Sequence, residues 1–271
     1  MRIDTTRDKV LASRVRYRPL NLALTMSEHD IATGGALMAG ALAFRLFLWS
    51  LPAALLAVGI LGFNDNAAED ATRAGLGKYT AQTIGQAAQD AHRGRWLAVI
   101  IGAVLLCVVS YTLAKTIYVA TALIWGEPVR KLGNPVRAVG ATVLSIALAV
   151  LASLVATWRR RDSPGVGIMA TILVAVVWAL LWWLISGWLP HRAELPWWGL
   201  LPGAALVGVG MQLLQLATVY YFAVRISTAS QLYGSLGAAA TLLLWTYVVA
   251  RLLLAAAALN ATVLRVYARN G

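Results

Sequence analysis

Residues 235–258 read SLGAAATLLLWTYVVARLLLAAAA. Wound as an α-helix this stretch is about 36 Å long, enough to cross a hydrocarbon core of about 30 Å. One charge interrupts it, Arg251, near the middle. A charge at the centre of a bilayer helix costs on the order of 3 kcal/mol on insertion scales. The stretch therefore places the chain in a membrane and marks a position selected for more than lipid packing. A second arginine, Arg45, interrupts the first apolar run, and no Asp or Glu lies inside any of the runs to neutralise either one.

The rest of the chain agrees. Of 271 residues, 60% are hydrophobic and only 13% charged. A soluble domain is nearer half apolar and a quarter charged, so several spans are expected. The composition predicts an all-α polytopic bundle of about six transmembrane helices, with one sizeable polar loop after the first. The runs are 36–63, 96–124, 138–158, 167–189, 197–226 and 236–263. A basic arm, 1–35, precedes them, and a short tail, 264–271, follows. Pro52 is expected to kink the first run. The fourth carries Trp178, Trp182, Trp183 and Trp188, several of which are expected in an interfacial aromatic belt.

Six spans put both termini on one side, and the loop Lys and Arg favour the cytosol for both. The Arg159-Arg160-Arg161 triplet then falls outside and breaks the rule, which contact with acidic headgroups would explain. The net charge of +12 fits positive-inside loops and anionic lipid. Nucleic acid is not expected, because no basic run carries aromatics spaced for base stacking.

Chemistry other than binding finds little support. His29, His92 and His191 fall in three separate polar segments. No HExxH, CxxC, Walker or GxSxG pattern occurs. Asp65, Glu69 and Asp70 in the loop read as solvated carboxylates. Cys107 is alone, in an apolar run, so no disulfide framework is possible. No cofactor, metal or catalytic residue is expected.

Binding is better supported. Arginine suits phosphate because its planar guanidinium makes paired, charge-assisted hydrogen bonds. Arg45 and Arg251 are thus candidate ligands for an anionic headgroup, against the plainer reading that they snorkel. Gln212 and Gln215, one turn apart on the fifth span, either line the same cavity or bond between helices. Lys115 reads as a snorkelling residue. The small residues Gly203, Gly208 and Gly210 read as packing devices.

The order of several segments resembles the YihY/BrkB family of bacterial inner-membrane proteins. Gln231-Leu232-Tyr233-Gly234-Ser235-Leu236 and Leu244-Trp245-Thr246-Tyr247 match its YG-S-L and W-x-Y pattern, and Leu259-Asn260-Ala261 the end of G-A-E-L-N-A. Leu42-Ala43-Phe44 with Pro52, and Ile124-Trp125, resemble its first and second spans. Two departures stand out: the family's glutamate is Ala258, and the serine of its S-L-x-P is Trp49. The resemblance marks Pro52, Tyr233, Gly234, Trp245, Tyr247 and Asn260 as motif positions. It implies a six-span inner-membrane protein tied to envelope integrity and, in some members, to suspected lipid or lipid A movement. The family's former ribonuclease label finds no support in these residues. The expected function is binding or translocating an anionic amphiphile, with membrane lipids as partners. The alternative is a scaffold that docks envelope proteins or a second copy of itself.

Overall fold

The computed structural model describes residues 25–28, 30–61, 94–129, 164–190, 197–217 and 223–268, with 82, 86 and 140. Among them there is no strand. Five helices follow in order: α1 (Gly35–Leu61), α2 (Arg95–Trp125), α3 (Pro164–Trp188), α4 (Leu201–Ala217) and α5 (Ala223–Ala268). A short 3-10 helix, Trp197–Leu200, leads into α4. Five stretches long and apolar enough to cross a membrane fall on these elements, the fourth of them, Trp197–Gln215, running through the 3-10 helix into α4. The expected third run, 138–158, and the large loop lie outside the described residues, apart from 82, 86 and 140.

These sequences form helices because hydrocarbon offers the backbone no competing hydrogen bonds. Glycines and β-branched residues that would weaken a helix in water are therefore tolerated. Large side chains such as Phe44, Leu51, Val104, Val108, Ile172, Val176 and Leu213 are exposed around the described bundle. A surface of this kind has lipid as its natural solvent.

Helices α1 and α2 make an antiparallel hairpin. A β-carbon on Gly102 would meet the Leu56 backbone at 3.0 Å, and one on Gly59 the Val99 side chain at 2.8 Å. Further along, Trp49 Nε1 donates to Ser110 Oγ at 3.0 Å. Thus Trp49, standing where the family pattern has serine, bonds to a serine on the facing helix. Pro52 is buried within α1, which runs unbroken through it. At its far end α2 stops at Gly126, whose φ of 70° turns the chain out of the helix. The Gly126 and Glu127 amides cap the carbonyls of Leu123 and Ala122.

α3, α4 and α5 form a second antiparallel set. Gly208 lies against Ala175 and Ala179 of α3, and Gly210 against Leu252 of α5. Trp182, Ala204, Val207 and Ala256 make the small core between these three helices. α5 joins the two sets, packing on both α1 and α4. Ala39, Leu42 and Ala43 of α1, Ala120, Ile124 and Trp125 of α2, and Ala250, Leu254, Ala257, Ala258 and Ala261 of α5 share the main buried cluster. Small residues on α5 allow this close approach.

One expectation changes. The sequence separates the fifth and sixth spans at 227–235, but α5 is continuous from Ala223. Hydropathy sees the polar residues there, whereas the backbone ladder does not require apolar side chains. Of the four tryptophans of the fourth run, several of which are expected in an aromatic belt, Trp182 is 6% exposed in the core and Trp188 is exposed. Trp183, beside Trp182, stacks edge-on with Trp197 and donates Nε1 to the Trp197 carbonyl at 3.0 Å, tying α3 to the 3-10 helix that leads into α4.

Candidate anion-receiving site

Arg251 falls at the centre of the apolar stretch Ala239–Val263. Its neighbour Ala250 and, a turn later, Leu254 are buried in the main cluster, while Leu244 and Val248 on its other flank are exposed. Arg251 therefore lies at the edge of the α1–α5 contact. Its guanidinium grips the Asp30 carboxylate in a fork. Nη1 donates to both carboxylate oxygens at 3.2 and 3.0 Å, and Nη2 donates to Oδ2 at 3.0 Å. The side chains keep 38% and 25% of their exposure.

This corrects the picture of an arginine with no acid to neutralise it. The acid comes from outside the apolar runs, 221 positions earlier in the chain. Local geometry brings it in. Helical turns over 25–28 and 30–32 end at Gly34, whose φ is +67° and whose amide bonds the Ile31 carbonyl at 3.1 Å. Thr33 Oγ1 donates to the Asp30 carbonyl at 3.3 Å, and Met26 packs on the main cluster. Gly35 follows, and the space its β-carbon would take is filled by the Asp30 carboxylate. The double glycine thus lets the chain turn sharply while the carboxylate lies across the start of α1.

The other expected site residues fall elsewhere. Arg45 is half-buried on α1 and has no hydrogen bond or ion pair among the described residues. Gln212 is buried, and its Nε2 donates to the Thr171 carbonyl at 2.7 Å, bonding α4 to α3. Gln215 is half-buried one turn on. No hydrogen bond or ion pair joins Arg45, Gln212 or Gln215 to Arg251 among the described residues. Lys115 is exposed on α2.

The motif positions divide similarly. Tyr233 and Gly234 lie in α5, as do Trp245 and Tyr247, and Tyr247 packs against the main cluster. Asn260 is 2% exposed, and its Oδ1 accepts from the Gly203 amide at 2.7 Å. Gly203 lies in the first turn of α4, where amides lack an intrahelical partner. Asn260 therefore caps a neighbouring helix in trans. It also lines a cavity of about 10 Å³ with Thr121, Trp125, Trp182, Ser186 and Ala257. Ala258, where the family pattern has glutamate, is buried in the main cluster.

That cavity marks a junction where the end of α2, the end of α3, the start of α4 and α5 converge. Arg251 stands nine residues before Asn260 in α5, about 13 Å of helix. The Asp30 link is not legible in the apolar runs, because Asp30 lies ahead of them in a polar segment. The usable signal is an acid four residues ahead of Gly34-Gly35, at the mouth of α1.

Long apolar helices with a lipid-suited exterior define a polytopic integral membrane protein. The chain belongs to the family described as Virulence factor BrkB, whose profile matches residues 29–270. The match takes in Asp30, Arg251 and all five described helices, and it makes the protein an envelope-associated membrane protein. No curated protein and no solved structure matches the chain.

Proposed function

We propose that the protein binds or translocates an anionic lipid, with Arg251 receiving the headgroup. The observation that carries this reading is the fork itself. Arg251 already holds an oxyanion through both terminal nitrogens, and more than a third of its side chain stays exposed. A phosphodiester offers the same paired acceptors as a carboxylate. Arg45, without an acidic partner among the described residues, supplies further positive potential in the spans. The reading is one of binding or transport, with no chemical step, in a bacterial inner membrane with both termini cytosolic.

The test uses the full chain in vesicles carrying labelled phosphatidylglycerol. Wild-type protein moves or retains the label, and Arg251→Ala loses this. The reading fails if wild type does neither, or if Arg251→Ala behaves as wild type. A second reading is a scaffold docking an envelope protein or a second copy of the chain. It draws support from the same pair, since Asp30 fastens the segment ahead of α1 to α5. A scaffold would leave lipid movement at the protein-free rate while the Asp30 and Arg251 variants alter partner recovery.

A further inference from the structure

Resting on the lipid reading above, we infer that Asp30 is a displaceable latch: its carboxylate occupies Arg251 as an internal stand-in for lipid phosphate, and the headgroup binds when Asp30 withdraws.

Four observations meet at this contact. The grip is forked, the geometry arginine uses for carboxylate and phosphate alike. It is not sealed, since both side chains remain partly exposed. The acid is carried on a short segment joined to α1 through Gly34, in the left-handed region, and Gly35. Rotation at Gly34, ahead of α1, moves Asp30 while the helix from Gly35 onward stays in place. Finally, the fit is steric as well as electrostatic, because Asp30 occupies the space a side chain on Gly35 would need.

The chain just ahead of the latch is strongly basic, with Arg2, Arg7, Lys9, Arg14, Arg16 and Arg18. An anionic leaflet attracts such a segment by about 1 kcal/mol per basic residue near its surface. Anionic lipid thus acts twice, drawing on the arm that carries Asp30 and supplying the competitor for Arg251. The energetic balance favours exchange over simple loss. Removing Asp30 with nothing in its place would leave Arg251 without a counter-ion in an apolar setting, whereas a headgroup phosphate replaces one anion with another.

A latch closed about nine-tenths of the time weakens apparent affinity about tenfold. The test measures binding of labelled phosphatidylglycerol to the full chain in phosphatidylcholine nanodiscs. Asp30→Asn keeps the shape and removes the charge. Gly35→Ala keeps the charge and drives the carboxylate out sterically; Gly35 has no positive φ, so alanine suits its backbone. Both variants should tighten binding about tenfold, and Arg251→Ala should abolish it with or without Asp30→Asn. Thermal unfolding identifies a variant that fails to fold, and the other then decides.

If Arg251→Ala weakens binding but neither folded latch variant strengthens it, Asp30 is a permanent clamp and the latch is overturned while the lipid site stands. If Arg251→Ala leaves binding unchanged, the lipid site itself falls. Inorganic phosphate is the control for a free anion. If it binds the unlatched variants as tightly as the lipid does, assignment to a lipid headgroup is overturned.

Discussion

Replacing Gly203 by alanine tests how α4 is held to α5. The added β-carbon would lie 2.5 Å from the Ala256 carbonyl oxygen, 2.6 Å from Asn260 Nδ2 and 2.7 Å from Asn260 Oδ1. The first contact is backbone and cannot rotate away, so the helices must part by several tenths of an ångström. Parting them stretches the 2.7 Å bond from the Gly203 amide to Asn260. Overpacking costs about 1–3 kcal/mol. Losing a buried hydrogen bond adds about 1–3 kcal/mol, nearer the low end between membrane helices. Alanine returns about 1 kcal/mol through helix propensity. The net expectation is a loss of about 2–4 kcal/mol, read by reversible denaturant unfolding in detergent. Gly40→Ala is the control, because nothing lies within 4 Å of its β-carbon position. It should leave stability unchanged or raise it by up to about 1 kcal/mol. Asn260→Ala removes the same bond, so its effect combined with Gly203→Ala should be less than additive. A Gly203→Ala protein within about 0.5 kcal/mol of wild type, or full additivity with Asn260→Ala, would refute the reasoning.

Two further outcomes follow from the same helices. Gly208→Ala should destabilise more than Gly210→Ala, because the first meets the Ala175 carbonyl at 2.6 Å and the second only the movable end of Leu252. Thermal midpoints of the two variants give the ranking, and the reverse order would count against it. Trp182→Phe removes Nε1, a buried donor without a partner among the described residues. Lost packing and relieved desolvation oppose each other, so unfolding free energy should change by less than about 1 kcal/mol. A fall beyond about 2 kcal/mol would mean that Nε1 has a partner, such as a water in the adjoining cavity.

The sequence by itself determined that the chain spans a membrane. An apolar run of about 20 residues has few stable forms in hydrocarbon except a helix, because each amide must be satisfied within the segment. The five described spans and the exposed apolar girdle follow from that rule. The end of α2 was legible too, since Gly126 directly follows the last apolar residues. Only tertiary structure decided which polar groups meet. Asp30 reaches Arg251 across 221 positions because a double-glycine turn brings the short segment ahead of α1 against α5. Asn260 caps α4 because Gly203 has no side chain to hold the helices apart. Trp182 and Trp188 lie in the same apolar run, yet one is 6% exposed and the other 61%. Hydropathy ranks a residue by transfer from water and carries no direction. Which side of a helix meets a partner, and which acid meets an arginine, is fixed only when the helices pack.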